Sequence, residues 1–314
     1  MDMNGQAAAN AANNDKRRYQ VIVIGKGPAG LQAAIYTARA GLSVLVIGLD
    51  AGSLGKAETI ENYYGFAAPV SGNALQQSGE EQAARFGAQI LSADVIGVGY
   101  GETGFIVSTP EAEHYGETIL IATGTSHIKA PIAGIESFEG KGLSYCAVCD
   151  GFFFKQKEVG VLGFTDYAAG EALELKALTD KVTIFTNGKE LSLSAAMAGR
   201  MDAVNMIHTP IARITGEERV SGVELSDGKT IPLDGLFVAY GVAGGADLAR
   251  KLGLIINGRG EIETDEYQQT NVPGVFAAGD CTGRFRQIAV AVGQGALAAK
   301  SIIDYCRGNK AERP

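Results

Sequence analysis

Cys146 and Cys149 have two residues between them in "SYCAVCDGFFF", and Asp150 follows the second cysteine directly. Two thiols at that spacing can close a disulfide or supply half of a tetrahedral metal site, so the pair points to redox chemistry or to metal. A zinc site needs two further ligands. The remaining cysteines, Cys281 and Cys306, and the histidines His114, His127 and His208 offer no second pair at ligand spacing, so no metal is expected. Cys281 and Cys306 read as small apolar packing residues. Neither a Ser-His-Asp order nor a paired-carboxylate pattern stands out.

A second chemical signal precedes the pair. In "VIVIGKGPAGLQAAIYTARAGLSVLVIG", Gly25, Gly27 and Gly30 fall at G-x-G-x-x-G spacing between an apolar strand and a helix. The first glycine makes the turn, the second admits a pyrophosphate to the backbone, and the third lets helix and strand pack closely. A degenerate copy follows at residues 159–175, "VGVLGFTDYAAGEALEL", with Gly163, Thr165 and Ala168 at the three places. Thr165 puts a side chain where the pyrophosphate belongs, and Asp166 adds negative charge at a helix N-terminus, where a phosphate needs the positive dipole end. Together they look like an N-cap whose oxygens satisfy the free N–H groups of that helix.

The elements that must position these residues are those of an α/β chain. Its 314 residues, 46% of them hydrophobic, suffice for two domains, and 43 glycines without a tryptophan suit many strand-helix turns. The pattern predicts two Rossmann-like, three-layer nucleotide-binding domains, the second inserted into the first. Residues 19–126 and 246–314 would form the first and 127–245 the second, with crossings at "APIAG" and "GVAGGAD". Near the end, "TNVPGVFAAGDCTGRFRQIAVAVGQGALAAKSII" reads as strand, turn and a long small-residue helix that another backbone or a ligand can approach. Residues 1–18 read as a disordered tail without the apolar core of a signal peptide, and no apolar run is long enough to span a bilayer. A cytoplasmic protein is expected. A net charge of -8 argues against nucleic acid as a partner, and four cysteines are too few for a disulfide-stapled scaffold.

Six motifs in one order carry a family resemblance: "GKGPAG", "IENYYGF" with "VSGNALQQSGEEQAARFGAQI", "IATGTS", "CAVCDGFFF", "NVPGVFAAGD" and "RQIAVAVGQG". The chain resembles the low-molecular-weight thioredoxin reductases, homodimeric flavoproteins, over nearly all of residues 19–306. The resemblance implies FAD, with its pyrophosphate on Gly25, Gly27 and Gly30, Asn62 near the isoalloxazine, Asp280 on the ribitol, and Arg286 and Gln287 at the edge of the ring. It implies Cys149 as the sulfur facing the flavin, Cys146 as the one that attacks a protein disulfide, and Asp150 as acid and base. Making two thiols takes two protons with two electrons, and a carboxylate opposes a thiolate instead of stabilising it, so Asp150 suits proton delivery.

The second domain departs from the family. Thioredoxin reductases bind NADPH there through an intact glycine turn and an arginine cluster after the next strand. Here "KVTIFTNGKEL" follows, no arginine occurs between Arg85 and Arg200, and Lys189 alone cannot make a bidentate fork. Thr186, Asn187 and Gly188 stand where an acidic residue would select NADH. In this the chain resembles the ferredoxin-dependent flavin thioredoxin reductases, which imply reduced ferredoxin as donor and thioredoxin as acceptor. Acidic ferredoxins call for a local basic patch, for which Lys155, Lys157, Arg284 and Arg286 are the candidates. Two enzymatic alternatives are a dithiol oxidase using oxygen, in which relatives commonly carry His in place of Asp150, and an NADPH-dependent reductase with a divergent site. A binding module with a structural flavin is a third, against which both cysteines argue.

Overall fold

The computed structural model describes residues 18–125, 130–201 and 204–308. The expected tail lies outside them except for Arg18, which opens the first strand, and His127 lies outside them too.

The first sheet contains β1 (Arg18–Ile24), β2 (Val44–Ile47), β3 (Gln89–Leu91), β4 (Gly97–Tyr100), β5 (Phe105–Ser108) and β6 (Glu113–Ile121) in the order β3-β2-β1-β6-β5-β4. Strands β1, β2, β3 and β6 run parallel; β4 and β5 are antiparallel additions. Its centre is buried on both faces, which is why "VIVI" and "VLVI" read as unbroken apolar runs. The second sheet is parallel throughout: β7 (Leu143–Ser144), β8 (Val159–Leu162), β9 (Val182–Phe185), β10 (Asn205–Ile207) and β14 (Gly235–Val238), ordered β10-β9-β8-β14-β7. An antiparallel ribbon, β11 (Ile211–Thr215), β12 (Gly222–Leu225) and β13 (Thr230–Pro232), lies between β10 and β14 in the chain. The chain then returns to the first sheet as β15 (Val275–Ala277), beside β6. This is an α/β protein of two Rossmann-like units, the second inserted between β6 and β15 of the first.

Six helices matter for the site: α1 (Pro28–Arg39), α2 (Gly72–Arg85), α3 (Ala147–Asp150), α4 (Asp166–Lys176), α5 (Gly245–Leu252) and α6 (Ile288–Cys306). Pro28 opens α1, where a missing N–H costs nothing. The small-residue stripe of α6 brings backbones together as expected: a Cβ at Gly295 would overlap the carbonyl of Ala29 on α1. One apolar core is continuous between the sheets, joining Ile22 and Ile119 of the first to Val161 and Ile184 of the second through Tyr167 of α4 and Leu248 of α5.

Candidate active site

The dinucleotide cradle forms where β1 meets α1. Gly25 has φ +108°, and a Cβ there would overlap the carbonyl of Ala122 at the end of β6; one at Gly30 would overlap the carbonyl of Gly25. Gly27 is different. A Cβ on it meets nothing within 4 Å, so the fold itself does not demand glycine at that place. Gly27 caps α1 without a side-chain hydrogen bond, and the first turn carries no acid, leaving backbone N–H groups for an anion. Those features fit the pyrophosphate of FAD.

On the far side of the cradle, the 279–280 turn is fixed by α6. Gln294 Oε1 accepts from the N–H of Gly279 (2.8 Å), and its Nε2 donates to Thr282 Oγ1 (3.1 Å), holding Asp280 at the head of a short helical turn. Burial pushes the Asp280 carboxyl up and Arg286 pulls it back. Asn62 Nδ2 donates to Gln287 Oε1 at 3.2 Å, joining two residues 225 positions apart, while Arg286 reaches Glu261 at 3.4 Å. The residues expected around a flavin ring are therefore gathered by contacts that need no ligand. Cys281 behind them is 6% exposed, and burial pushes its thiol up to about 12; that of Cys306 is pushed up to about 11. Both are inert packing residues at neutral pH.

The second glycine turn closes differently from the sequence expectation. Gly163 repeats the role of Gly25, since a Cβ there would overlap the carbonyl of Ala239 at the end of β14. Thr165 occupies the N-cap place of α4, yet its side chain makes no cap. Its hydroxyl donates instead to the carbonyl of Gly241. Asp166 is 8% exposed and its Oδ1 accepts from the N–H of Ser194 (2.9 Å), while Ser192 N–H donates to the carbonyl of Phe164 (2.8 Å). A crossing segment thus covers the turn, and long-range partners outcompete the local cap. Phe164 packs edge to face on Tyr240 with centroids 5.1 Å apart. At the end of β9, the Asn187 side chain accepts from the N–H of Ile211 (2.7 Å), and Lys189 is exposed. Asp94, from the first unit, adds a further carboxyl whose pKa is raised by burial and then by Asp166 and Asp50.

The cysteines form a disulfide, with Cα atoms 5.3 Å apart, at the start of α3. Cys146 is the N-cap, its sulfur accepting from the N–H of Cys149 at 3.1 Å, and is only 2% exposed; Cys149 is exposed. Ser144, which sequence reasoning missed, accepts from the N–H of Cys146 (3.1 Å) and donates to Asp150 Oδ2 (2.6 Å). Ser144 thereby links the carboxylate expected to deliver protons to the backbone of Cys146. The disulfide opens into a cleft of about 410 Å³ lined also by Tyr145, Asp150 and Arg250. Asn62, Asp280, Arg286 and Gln287 are not among the residues that line it.

Two more residues were not signalled by any motif. Glu171 of α4 accepts from the N–H of Ala147, the first residue of α3, at 2.6 Å, and its other oxygen is paired with Lys251 of α5. The side chains of this ion pair are 2% and 3% exposed. Burial pushes the Glu171 carboxyl up against the opposing pull of Lys251 and of the Ala147 N–H. The basic candidates divide: Lys155 and Lys157 follow α3, while Arg284 and Arg286 lie on the turn before α6. Among the described residues no cluster of three metal-ligating side chains forms, and no helix is long and apolar enough to cross a membrane.

The family model described as pyridine nucleotide-disulphide oxidoreductase matches residues 19–295. A thioredoxin reductase of Treponema pallidum (strain Nichols) is 38% identical over 302 residues, 91% of this chain and 97% of that protein. Among solved structures, the atypical thioredoxin reductase TRi from Desulfovibrio vulgaris Hildenborough is 42% identical with a TM-score of 0.90, covering 93% of this chain and 99% of its own. A ferredoxin-flavin thioredoxin reductase from Clostridium acetobutylicum is 31% identical with a TM-score of 0.70, again over 93% and 99%. A cradle shaped for a dinucleotide and a cystine beside a carboxylate have one common explanation: the chain belongs to the pyridine nucleotide-disulphide oxidoreductase family and is an FAD-dependent oxidoreductase acting on disulfides.

Proposed function

We propose that this flavoenzyme is a thioredoxin reductase that draws electrons from reduced ferredoxin and not from NADPH or NADH. The observation that carries this reading is the closure of the second glycine turn, where Thr165 is bonded to Gly241 and the buried carboxylate of Asp166 to Ser194. A pyrophosphate at the start of α4 would meet a threonine side chain, a bound crossing segment and the negative charge of Asp166. The likeness to a ferredoxin-flavin thioredoxin reductase, 31% identical with a TM-score of 0.70, supports ferredoxin as the donor.

Gly25, Gly27 and Gly30 would hold the pyrophosphate, Asp280 the ribitol, and Asn62, Arg286 and Gln287 the ring. FAD held there would supply the conversion between single electrons from ferredoxin and the electron pair that opens the disulfide. Asp150, held by Ser144, supplies a proton to the opened pair. Cys146 then attacks the thioredoxin disulfide, and Cys149 displaces it from the mixed disulfide, restoring Cys146–Cys149 and releasing thioredoxin as a dithiol. With Cys146 2% exposed, that attack requires the start of α3 to be uncovered first. Val148, Phe152 and Phe153 are 59%, 72% and 69% exposed around the pair, an apolar surface suited to a protein substrate. The assignment includes a cytoplasmic homodimer divided at 19–126, 127–245 and 246–314.

Anaerobic turnover tests the assignment. Photoreduced ferredoxin should drive reduction of thioredoxin disulfide through the enzyme, and NADPH should not. Oxygen consumption with a dithiol substrate, in the absence of thioredoxin reduction, would assign the chain to the dithiol oxidases instead.

A further inference from the structure

Glu171 and Lys251 lie outside the chemistry described above, yet they form a nearly inaccessible ion pair next to the redox disulfide. Glu171 belongs to α4, packed on the second sheet, and anchors the start of α3 through the Ala147 N–H. Lys251 belongs to α5, which is tied to the first unit: Tyr100 of β4 donates to the carbonyl of Leu252 (2.6 Å), and Asn271 Nδ2 donates to that of Gly253 (3.0 Å). The same helix touches the cysteine segment twice more. The Arg250 guanidinium lies over the Tyr145 ring at 4.8 Å, and Cys149 Sγ is 3.7 Å from the Arg250 carbonyl oxygen.

From this placement we infer that Glu171 and Lys251 are positioning residues that clasp the cysteine helix to the first unit and hold the disulfide toward the open cleft. The inference rests on the reading that the disulfide exchanges electrons with the flavin. Cys149 here faces the Arg250 carbonyl in a cleft lined by Tyr145, Asp150 and Arg250, so carrying it from that cleft to a flavin requires α3 and α4 to part from α5. Parting separates two buried charges and leaves each without its partner, which is unfavourable in an apolar interior. The ion pair therefore sets the share of molecules that face outward, and a change there moves two rates in opposite directions.

The test uses FAD-loaded enzyme reduced photochemically, so that neither ferredoxin nor NADPH enters the result. Two rates are followed in Lys251→Met, Glu171→Gln and the charge-preserving Lys251→Arg: reoxidation of the flavin by the enzyme's own disulfide, and alkylation of Cys149 by iodoacetamide in the dithiol form. In Lys251→Met and Glu171→Gln, flavin reoxidation should quicken and Cys149 alkylation slow, each about tenfold, with Lys251→Arg near the parent. A lower melting temperature with both rates unchanged, or both falling together, would make the pair merely structural and overturn the clasp. Flavin that is never reoxidised by the disulfide in the parent enzyme would instead defeat the underlying functional reading.

Discussion

The Thr165 hydroxyl donates to the carbonyl of Gly241, tying the turn after β8 to the end of β14. These residues are 76 positions apart. A threonine that the local pattern marks as a helix cap is in fact a cross-strand tie.

Removing that tie alone should not create a nucleotide site. Thr165→Gly leaves the Asp166 carboxylate, the Ser192 contact with Phe164 and the lack of arginine in place. Calorimetric titration with NADPH should show no binding to this variant. Binding at micromolar concentration would mean that Thr165 was the sole obstacle. Recovery should need Asp166→Asn and arginines near Asn187 as well, each charge-assisted contact being worth about 1.5–3 kcal/mol.

The glycines of the first cradle should separate stability from cofactor binding. Gly25→Ala forces a Cβ onto the Ala122 carbonyl at positive φ and should destabilise the apoprotein by about 1–3 kcal/mol. Gly27→Ala meets open space, so its apoprotein should melt near the parent temperature while its affinity for FAD falls. Melting curves with and without FAD read both effects, and an unchanged FAD affinity in Gly27→Ala would remove that residue from the site.

At the redox pair, Cys149→Ser should stop electron flow from flavin to disulfide. Cys146→Ser should leave Cys149 able to interact with the flavin yet unable to pass electrons to thioredoxin. Asp150→Asn should slow turnover by roughly a hundredfold with FAD retained, and Ser144→Ala, which frees the carboxylate from its donor, by less. Stopped-flow absorbance at the flavin band distinguishes these cases, and full thioredoxin reduction by either serine variant would refute the assigned roles.

Asp94 gives a pH dependence of stability. Its carboxyl titrates above the ordinary value of 3.8, first because it is buried and then because Asp166 and Asp50 are near. The folded state disfavours its ionised form, so the stabilisation is complete below that ordinary value and is lost as pH rises through the folded one. Asp94→Asn should therefore raise the melting temperature at about pH 7 and leave it nearly unchanged at about pH 3. An equal shift at both would locate the effect in packing instead of charge.

What was legible in the sequence is what local spacing encodes. The glycine turn, the cysteine pair and the apolar strands follow from residues a few positions apart, and all of them stand where expected. Asn62 and Gln287 were named from motifs and prove to be in contact across 225 positions. The Thr165–Asp166 cap failed because the rule for helix starts knows nothing of Gly241 and Ser194. Ser144 had only its place two residues before Cys146 to signal it. Glu171 and Lys251 look like ordinary charged residues on helix faces, and they are buried where they meet each other, 80 positions apart in the chain. Pairings of that range leave no periodic mark in a single sequence.

The proposed function depends most on electron supply by an iron-sulfur protein and not by a pyridine nucleotide. Its most direct test is flavin absorbance under anaerobic conditions, with NADPH, NADH and photoreduced ferredoxin added in parallel. Ferredoxin alone should bleach the flavin, and thioredoxin disulfide should then restore the colour. Rapid bleaching by NADPH or NADH would contradict it.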